Sequence, residues 1–175
     1  VSRTGIRERR ISHVNLEELG YVAAKRALAA AGMDPADLEL IVFGTCSFDD
    51  QVPNQASGVQ ARLGAKKAAA MDINTACTSF LYGLSTATAM IRTGVARRAL
   101  IVGSELISPF MDWSDRNVAV LFGDGAAAVV IEGTDRNEGV LLEKLGCYGD
   151  AREILRIVGM GGAYANQGRI LGNTS

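Results

Sequence analysis

The sequence predicts an α/β protein, and three observations carry that prediction. Leu38 to Thr45 is a continuous apolar and β-branched run bounded by polar residues, as suits a central strand buried on both faces. Apolar residues recur at helical spacing over Leu16 to Ala30, Asn54 to Leu63 and Phe80 to Ile91. Strands and helices therefore alternate for most of the length. No low-complexity linker or clear internal repeat interrupts the chain, so residues 1–175 read as one structural unit.

In chain order, Asn15 is an N-cap candidate, with Glu17 and Glu18 in the first turn and Gly32 as the stop. Asp34-Pro35 repeats the start signal for a short turn. The Asn54 to Leu63 helix is entered through Pro53. Ala68 to Ile73 is apolar enough for a buried strand, and the period then switches to helical until Gly94. Ala99 to Gly103 is strand-like, and Ser108 to Arg116 is a polar and aromatic loop holding Trp113. Val118 to Phe122 and Ala126 to Ile131 flank Gly123-Asp124-Gly125, which reads as a hairpin. Gly139 to Tyr148 reads as a further strand, and the chain from Gly149 on as loop, with weak helical character over Ala151 to Val158.

Composition excludes several functions. Eighteen basic and nineteen acidic residues leave the chain near neutral, with nothing to drive non-specific nucleic-acid or membrane-surface binding. No apolar run is long enough for a transmembrane helix, and no signal peptide opens the chain. Three widely spaced cysteines without C-x-x-C spacing point to a reducing, cytoplasmic compartment and away from a metal site. His13 is the single histidine; it precedes the first helix beside basic residues and reads as a surface side chain.

The chain is organised around Met71 to Thr93, where a strand gives way through Asn74, Thr75 and Ala76 to a helix starting at or next to Cys77. A thiol there meets unpaired backbone N–H groups and the positive end of the helix dipole, a setting that favours thiolate over thiol. The alternative is a structural cysteine, since free Cys is among the most buried residue types. Cys46 and Cys147 lack this context and read as packing residues. Gly123-Asp124-Gly125 lacks the G-x-x-x-x-G-K-[ST] pattern, so it reads as tight-turn glycines and not as a phosphate loop.

The segment D-I-N-T-A-C-T-S-F-L-Y-G-L, Asp72 to Leu84, resembles the nucleophile segment of the β-ketoacyl-acyl-carrier-protein synthase III family of the thiolase superfamily. R-T-G-I-R-E-R-R, Arg3 to Arg10, is similar to the family's coenzyme A-side motif. D-R-N-V-A-V-L-F-G-D-G-A-A-A-V-V, Asp115 to Val130, is similar to its glycine-turn segment. The resemblance runs from Arg3 to about Glu132, with the three motifs in order.

The resemblance implies one half of a thiolase-like αβαβα layered fold with a mixed, mostly parallel sheet. It implies an N-terminal fragment whose first strand and C-terminal half are absent. The implied activity is condensing acyl transfer: Cys77 accepts an acyl group from acyl-coenzyme A, and malonyl-acyl carrier protein then condenses with it by decarboxylation, starting fatty-acid synthesis. Arg3, Thr4 and Arg116 fall where the family holds coenzyme A, whose phosphates suit paired guanidinium donors. Val52 stands where many acetyl-priming relatives carry phenylalanine, and Phe122 where the family lines its acyl tunnel. No metal or redox cofactor is implied; the coenzyme A thioester is a substrate.

Arg7, Arg9, Arg10, Arg97 and Arg98 could attract an acidic carrier protein, or form only a solvated face. The family's decarboxylating His and Asn come from its C-terminal half. Neither His13 nor Asn173 replaces them, so the fragment is expected to lack full condensing activity. The resemblance also implies a homodimer with Ala99 to Gly103 at the shared sheet interface and Phe48 to Asn54 reaching toward the partner's tunnel. Alternatives are another thiolase-superfamily condensation, of quinolone or polyketide type, and a non-catalytic partner subunit.

Overall fold

Helix α1 (Leu16–Ala31) begins where its sequence marks it. The Asn15 side chain accepts the Glu18 N–H at 3.0 Å, and Gly32, at φ 61°, closes the last turn. The same logic frames α2 (Gln55–Leu63), capped by Asn54 at one end and by Gly64 at φ 71° at the other. The protein is described by a computed structural model over residues 4–157. The remaining elements are β1 (Leu40–Gly44), β2 (Ala69–Ile73), α3 (Ser79–Arg92), β3 (Arg98–Glu105) and β4 (Gly125–Glu132). Single 3₁₀ turns lie at Pro35–Asp37, Ala76–Thr78, Ser108–Phe110 and Gly149–Ala151.

The strands form one sheet in the order β2-β1-β3-β4, with β1, β2 and β3 parallel and β4 antiparallel to β3. The chain moves outward from β1 to β2 and then back across β1 to β3. Right-handed crossovers in opposite directions put the two connecting helices on opposite faces. Accordingly Ile41, Phe43, Leu100 and Val102 pack with residues of α1 and α2, such as Leu16, Leu28 and Val59. Their alternates Leu40, Val42, Ala99 and Ile101 pack with Ala87, Leu84 and Ile91 of α3. Every residue of β1 is buried. Gly20 of α1 lets the helix lie directly on the sheet, because a Cβ there would collide with the Phe43 ring.

Four expectations need correction. β2 is not a buried strand: it lies at one edge of the sheet and is half-exposed. Val118 to Phe122 is not a strand and makes no hairpin with β4. Asp115 nucleates a run of turns there, its carboxylate accepting the Asn117 N–H and its carbonyl the Val118 and Ala119 N–H groups. β4 instead pairs along its whole length with β3. That pairing removes the expected sheet interface at Ala99 to Gly103, since β3 is bonded to β1 on one edge and β4 on the other.

Gly139 to Tyr148 is irregular, having no strand partner among the described residues, and Leu142 is 91% exposed. By internal packing the chain forms two compact units, residues 1–143 and 144–175. Within the second, the described residues comprise the 3₁₀ turn and a short run in which Glu153 pairs with Arg152 and Arg156. No helix among the described residues is long and apolar enough to cross a membrane.

Candidate active site

The three parallel strands end at one edge of the sheet, Gly44 opposite both Ile73 and Gly103, and that edge gathers the site. The chain leaves β2 through Asn74 and Thr75, enters the 3₁₀ turn Ala76–Thr78 and passes directly into α3. Cys77 sits in the middle of that turn, exposed, two residues ahead of the helix. Helix starts leave N–H groups without intrahelical partners, and the thiol stands just ahead of them.

The turn is strained and tied. Ala76 adopts φ 51°, the left-handed region that side-chain-bearing residues avoid at a cost of about 1–2 kcal/mol. Several side chains hold it there. Asn74 Oδ1 accepts the Ala76 N–H at 3.2 Å, and Thr78 donates its hydroxyl to the Thr75 carbonyl at 2.8 Å. Ser79 accepts the Thr75 N–H at 2.9 Å and donates to the Ala76 carbonyl at 2.6 Å.

A second cluster occupies the ends of β1 and β3. The Glu105 carboxylate accepts from the Thr45 hydroxyl at 2.9 Å, the Cys46 N–H at 3.2 Å and the Ser47 hydroxyl. It also accepts from the Cys46 thiol at 3.4 Å. Burial pushes that thiol up to about 12, helped by the charge and hydrogen bond of Glu105 and by the neighbouring Cys77. Cys46 therefore stays a neutral hydrogen-bond donor beside the exposed Cys77, and the two cysteines divide by environment.

Loop 48–54 is anchored at both ends. Asp49 accepts the Leu16 and Glu17 N–H groups at the start of α1, at 3.2 and 3.1 Å. Asn54 donates to the Ala70 carbonyl, and Asp72 of β2 accepts the Gln55 and Ala56 N–H groups at 2.8 Å each. Burial raises the Asp72 carboxyl above the ordinary carboxylate range against the pull of those two bonds. Between the anchors Val52 is 82% exposed.

The N-terminal segment and the glycine turn meet at Asp124. Its N–H donates to the Arg10 carbonyl at 2.8 Å. Its carboxylate accepts the Ser12 N–H at 2.7 Å, the Ser108 hydroxyl at 2.7 Å and the Ser108 N–H at 2.9 Å. Gly123 lies against the same strand of backbone, where a Cβ would come within 3.2 Å of the Arg10 oxygen.

A family model, 3-oxoacyl-[acyl-carrier-protein (ACP)] synthase III, matches residues 71–149, from β2 through the Cys77 turn to the glycine turn and beyond. The "Beta-ketoacyl-[acyl-carrier-protein] synthase III 2" of Vibrio vulnificus (strain YJ016) is 51% identical over 156 residues. That match covers 89% of this chain and 43% of the relative. The chain belongs to the β-ketoacyl-[acyl-carrier-protein] synthase III family. The crystal structure of 3-oxoacyl-[acyl-carrier-protein] synthase III from Aquifex aeolicus VF5 superimposes at TM-score 0.75 with 42% identity, covering 77% of this chain and 44% of that one. The priming β-ketosynthase of the R1128 polyketide biosynthetic pathway gives TM-score 0.75 at 36% identity, covering 78% and 41%. The expected thiolase-like fold, α/β with a mixed and mostly parallel sheet, is therefore shown, and the chain spans about half the length of the curated relatives it matches.

Within this synthase-family frame, the predicted residues fall in separate places. Cys77 stands at the sheet edge, Val52 in the exposed anchored loop, and Phe122 half-buried just ahead of Gly123. Arg116 and Thr4 are exposed, Arg116 forming no ion pair among the described residues. Arg3 and Asn173 lie outside the described residues, and His13 is exposed as expected. Sequence reasoning missed Glu105, Asp124 and Ser79. The first two act on backbone groups 59 and 112 positions away, for which no local pattern exists. Ser79 could have been suspected as a hydroxyl at a helix start.

Burial opposes ionisation of Asp124, but its hydrogen bonds from Ser108, Ser12 and Ile107 outweigh it and hold the carboxyl below the ordinary carboxylate value. A depressed folded pKa gives stability that is fully present above the unfolded value of about 3.9 and is lost as pH falls through the lower folded value. Asp124→Asn in the full-length protein is expected to cost about 1.5–3 kcal/mol at neutral pH, the worth of a charge-assisted hydrogen bond. Urea unfolding should show the gap to the unmodified protein shrinking below about pH 4. A gap that stays constant into acid would show that the charge contributes nothing.

Proposed function

We propose that the protein containing this chain is a condensing acyltransferase that starts acyl-chain synthesis. The observation that carries the reading is the pair of contrasted thiols: Cys77 exposed in the turn ahead of α3, Cys46 held protonated by burial and Glu105. The Cys77 thiolate attacks the carbonyl of an acyl-coenzyme A. The thioester C–S bond breaks, coenzyme A leaves as its thiol, and the acyl group remains on Cys77. Backbone N–H groups at the helix start supply hydrogen bonds to the developing oxyanion. Malonyl-acyl carrier protein then loses carbon dioxide, and the carbanion so formed attacks the acyl-cysteine, releasing a β-ketoacyl product and free Cys77.

Arg3, Thr4 and Arg116 hold the nucleotide end of coenzyme A, Arg116 being supported by its exposure and by its forming no ion pair among the described residues. The working form is a homodimer in the cytoplasm. The test is a rate assay on the full-length protein with acyl-coenzyme A and malonyl-carrier protein. Cys77→Ala should abolish product, and Arg116→Ala should raise KM for acyl-coenzyme A while kcat holds. Product formation by Cys77→Ala at the unmodified rate would end this reading.

Val52, in the anchored loop, sets primer length in the partner's tunnel, with Phe122 lining that space. An aliphatic in place of an aromatic leaves room for further methylenes, each worth about 0.8 kcal/mol when buried. One pocket methylene discriminates by about 1–3 kcal/mol, so the expected result is a shifted preference. The unmodified enzyme should accept primers longer than acetyl, and Val52→Phe should return kcat/KM toward short ones. The measurement compares acetyl-, butyryl-, octanoyl- and dodecanoyl-coenzyme A; an unchanged profile removes Val52 from the pocket.

A further inference from the structure

Ser79 is the first residue of α3 and is 3% exposed, yet its hydroxyl is fully used within four residues of the chain. It accepts the Thr75 N–H at 2.9 Å and donates to the Ala76 carbonyl at 2.6 Å, so one oxygen spans both peptide groups that lead into Cys77. Between those groups lies Ala76 at φ 51°. Left to itself an alanine leaves that region, and Cys77, the next residue, moves with it.

The other ties on the turn are weaker constraints. The Asn74 and Thr78 side-chain bonds are exposed, so water can replace them, whereas the Ser79 bonds are part-buried and come from a side chain that is itself buried. Gly44 fixes Ser79 from behind. A Cβ at Gly44 would lie 2.8 Å from the Ser79 carbonyl carbon and 2.9 Å from its Cβ, so the end of β1 presses directly on this residue. The site thus asks for a small side chain that both donates and accepts, and serine meets all three requirements.

We infer that Ser79 is a positioning residue for acyl transfer. Its hydroxyl locks the left-handed turn at Ala76 and thereby fixes where the Cys77 sulfur stands relative to the incoming thioester. This rests on Cys77 being the acyl acceptor. The Ser79 hydroxyl is taken up by Thr75 and Ala76, so its removal changes the transfer step and leaves the hold on coenzyme A alone.

The experiment is steady-state release of coenzyme A by the full-length protein from acyl-coenzyme A with malonyl-carrier protein, alongside peptide mass mapping of the acylated cysteine. Ser79→Ala should lower kcat by about 10- to 100-fold, the scale of a misplaced nucleophile, with KM for acyl-coenzyme A within about twofold. Adding Ala76→Gly to Ser79→Ala should restore kcat by at least about threefold, because glycine occupies positive φ without strain and no longer pushes the turn away. A serine acting only through overall stability would give no such recovery in kcat of the folded protein. Should Ser79→Ala not fold, Ser79→Cys keeps a small, slightly larger side chain but weakens both bonds, and should show an intermediate kcat. An unmodified kcat in Ser79→Ala or Ser79→Cys, or a double variant no faster than Ser79→Ala, overturns the inference while leaving acylation of Cys77 in the unmodified protein intact. Absence of acyl on Cys77 in the unmodified protein overturns both readings.

Discussion

β1 is bonded on both edges and covered on both faces, which leaves it no freedom of register or tilt. The strands paired to it inherit that fixity. Gly44 stands opposite Ile73 and Gly103, so the last residue of β1 sets the level at which the Cys77 turn and the Glu105 end of β3 emerge. A one-residue slip would reverse every side chain and move Leu40 and Val42 out of the layer they share with α3. Functional groups at the carboxyl ends of parallel strands depend on such a scaffold, because loops hold position only as well as the strands that deliver them.

Two electrostatic arrangements complete the edge. Glu105 places a carboxylate beside Thr45, Cys46 and Ser47 and takes up their donors, so the Cys46 thiol beside Cys77 is kept protonated. Asp124 does the same kind of work on backbone, drawing Ser12, Ser108 and Arg10 together. Through that one residue the N-terminal basic segment and the glycine turn, 112 positions apart, become neighbours. The family relationship explains why both motifs occur in one chain; the hydrogen bonds explain how they meet.

Local signals were legible in the sequence. Asn15 and Gly32 cap the first helix as read, and the apolar run at Leu38 to Thr45 is the central strand. The strand-to-helix switch around Cys77 was also plain from the change of period. Partner-dependent features were not legible. Val118 to Phe122 carries strand-forming residues, but Asp115 offers its backbone a nearer set of hydrogen bonds. Ala68 to Ile73 is apolar without being central, because composition does not say on how many sides a strand is paired. The left-handed Ala76 carries no sequence mark at all, since glycine or asparagine would be the usual occupant.

The central claim is that this edge presents one acyl-accepting thiol. Incubating the full-length protein with acyl-coenzyme A in the absence of carrier protein, then mapping peptide masses, tests it most directly. The account predicts the acyl mass increment on the peptide bearing Cys77 and on no other cysteine. An increment on Cys46 or Cys147, or coenzyme A release with Cys77 unmodified, would contradict it.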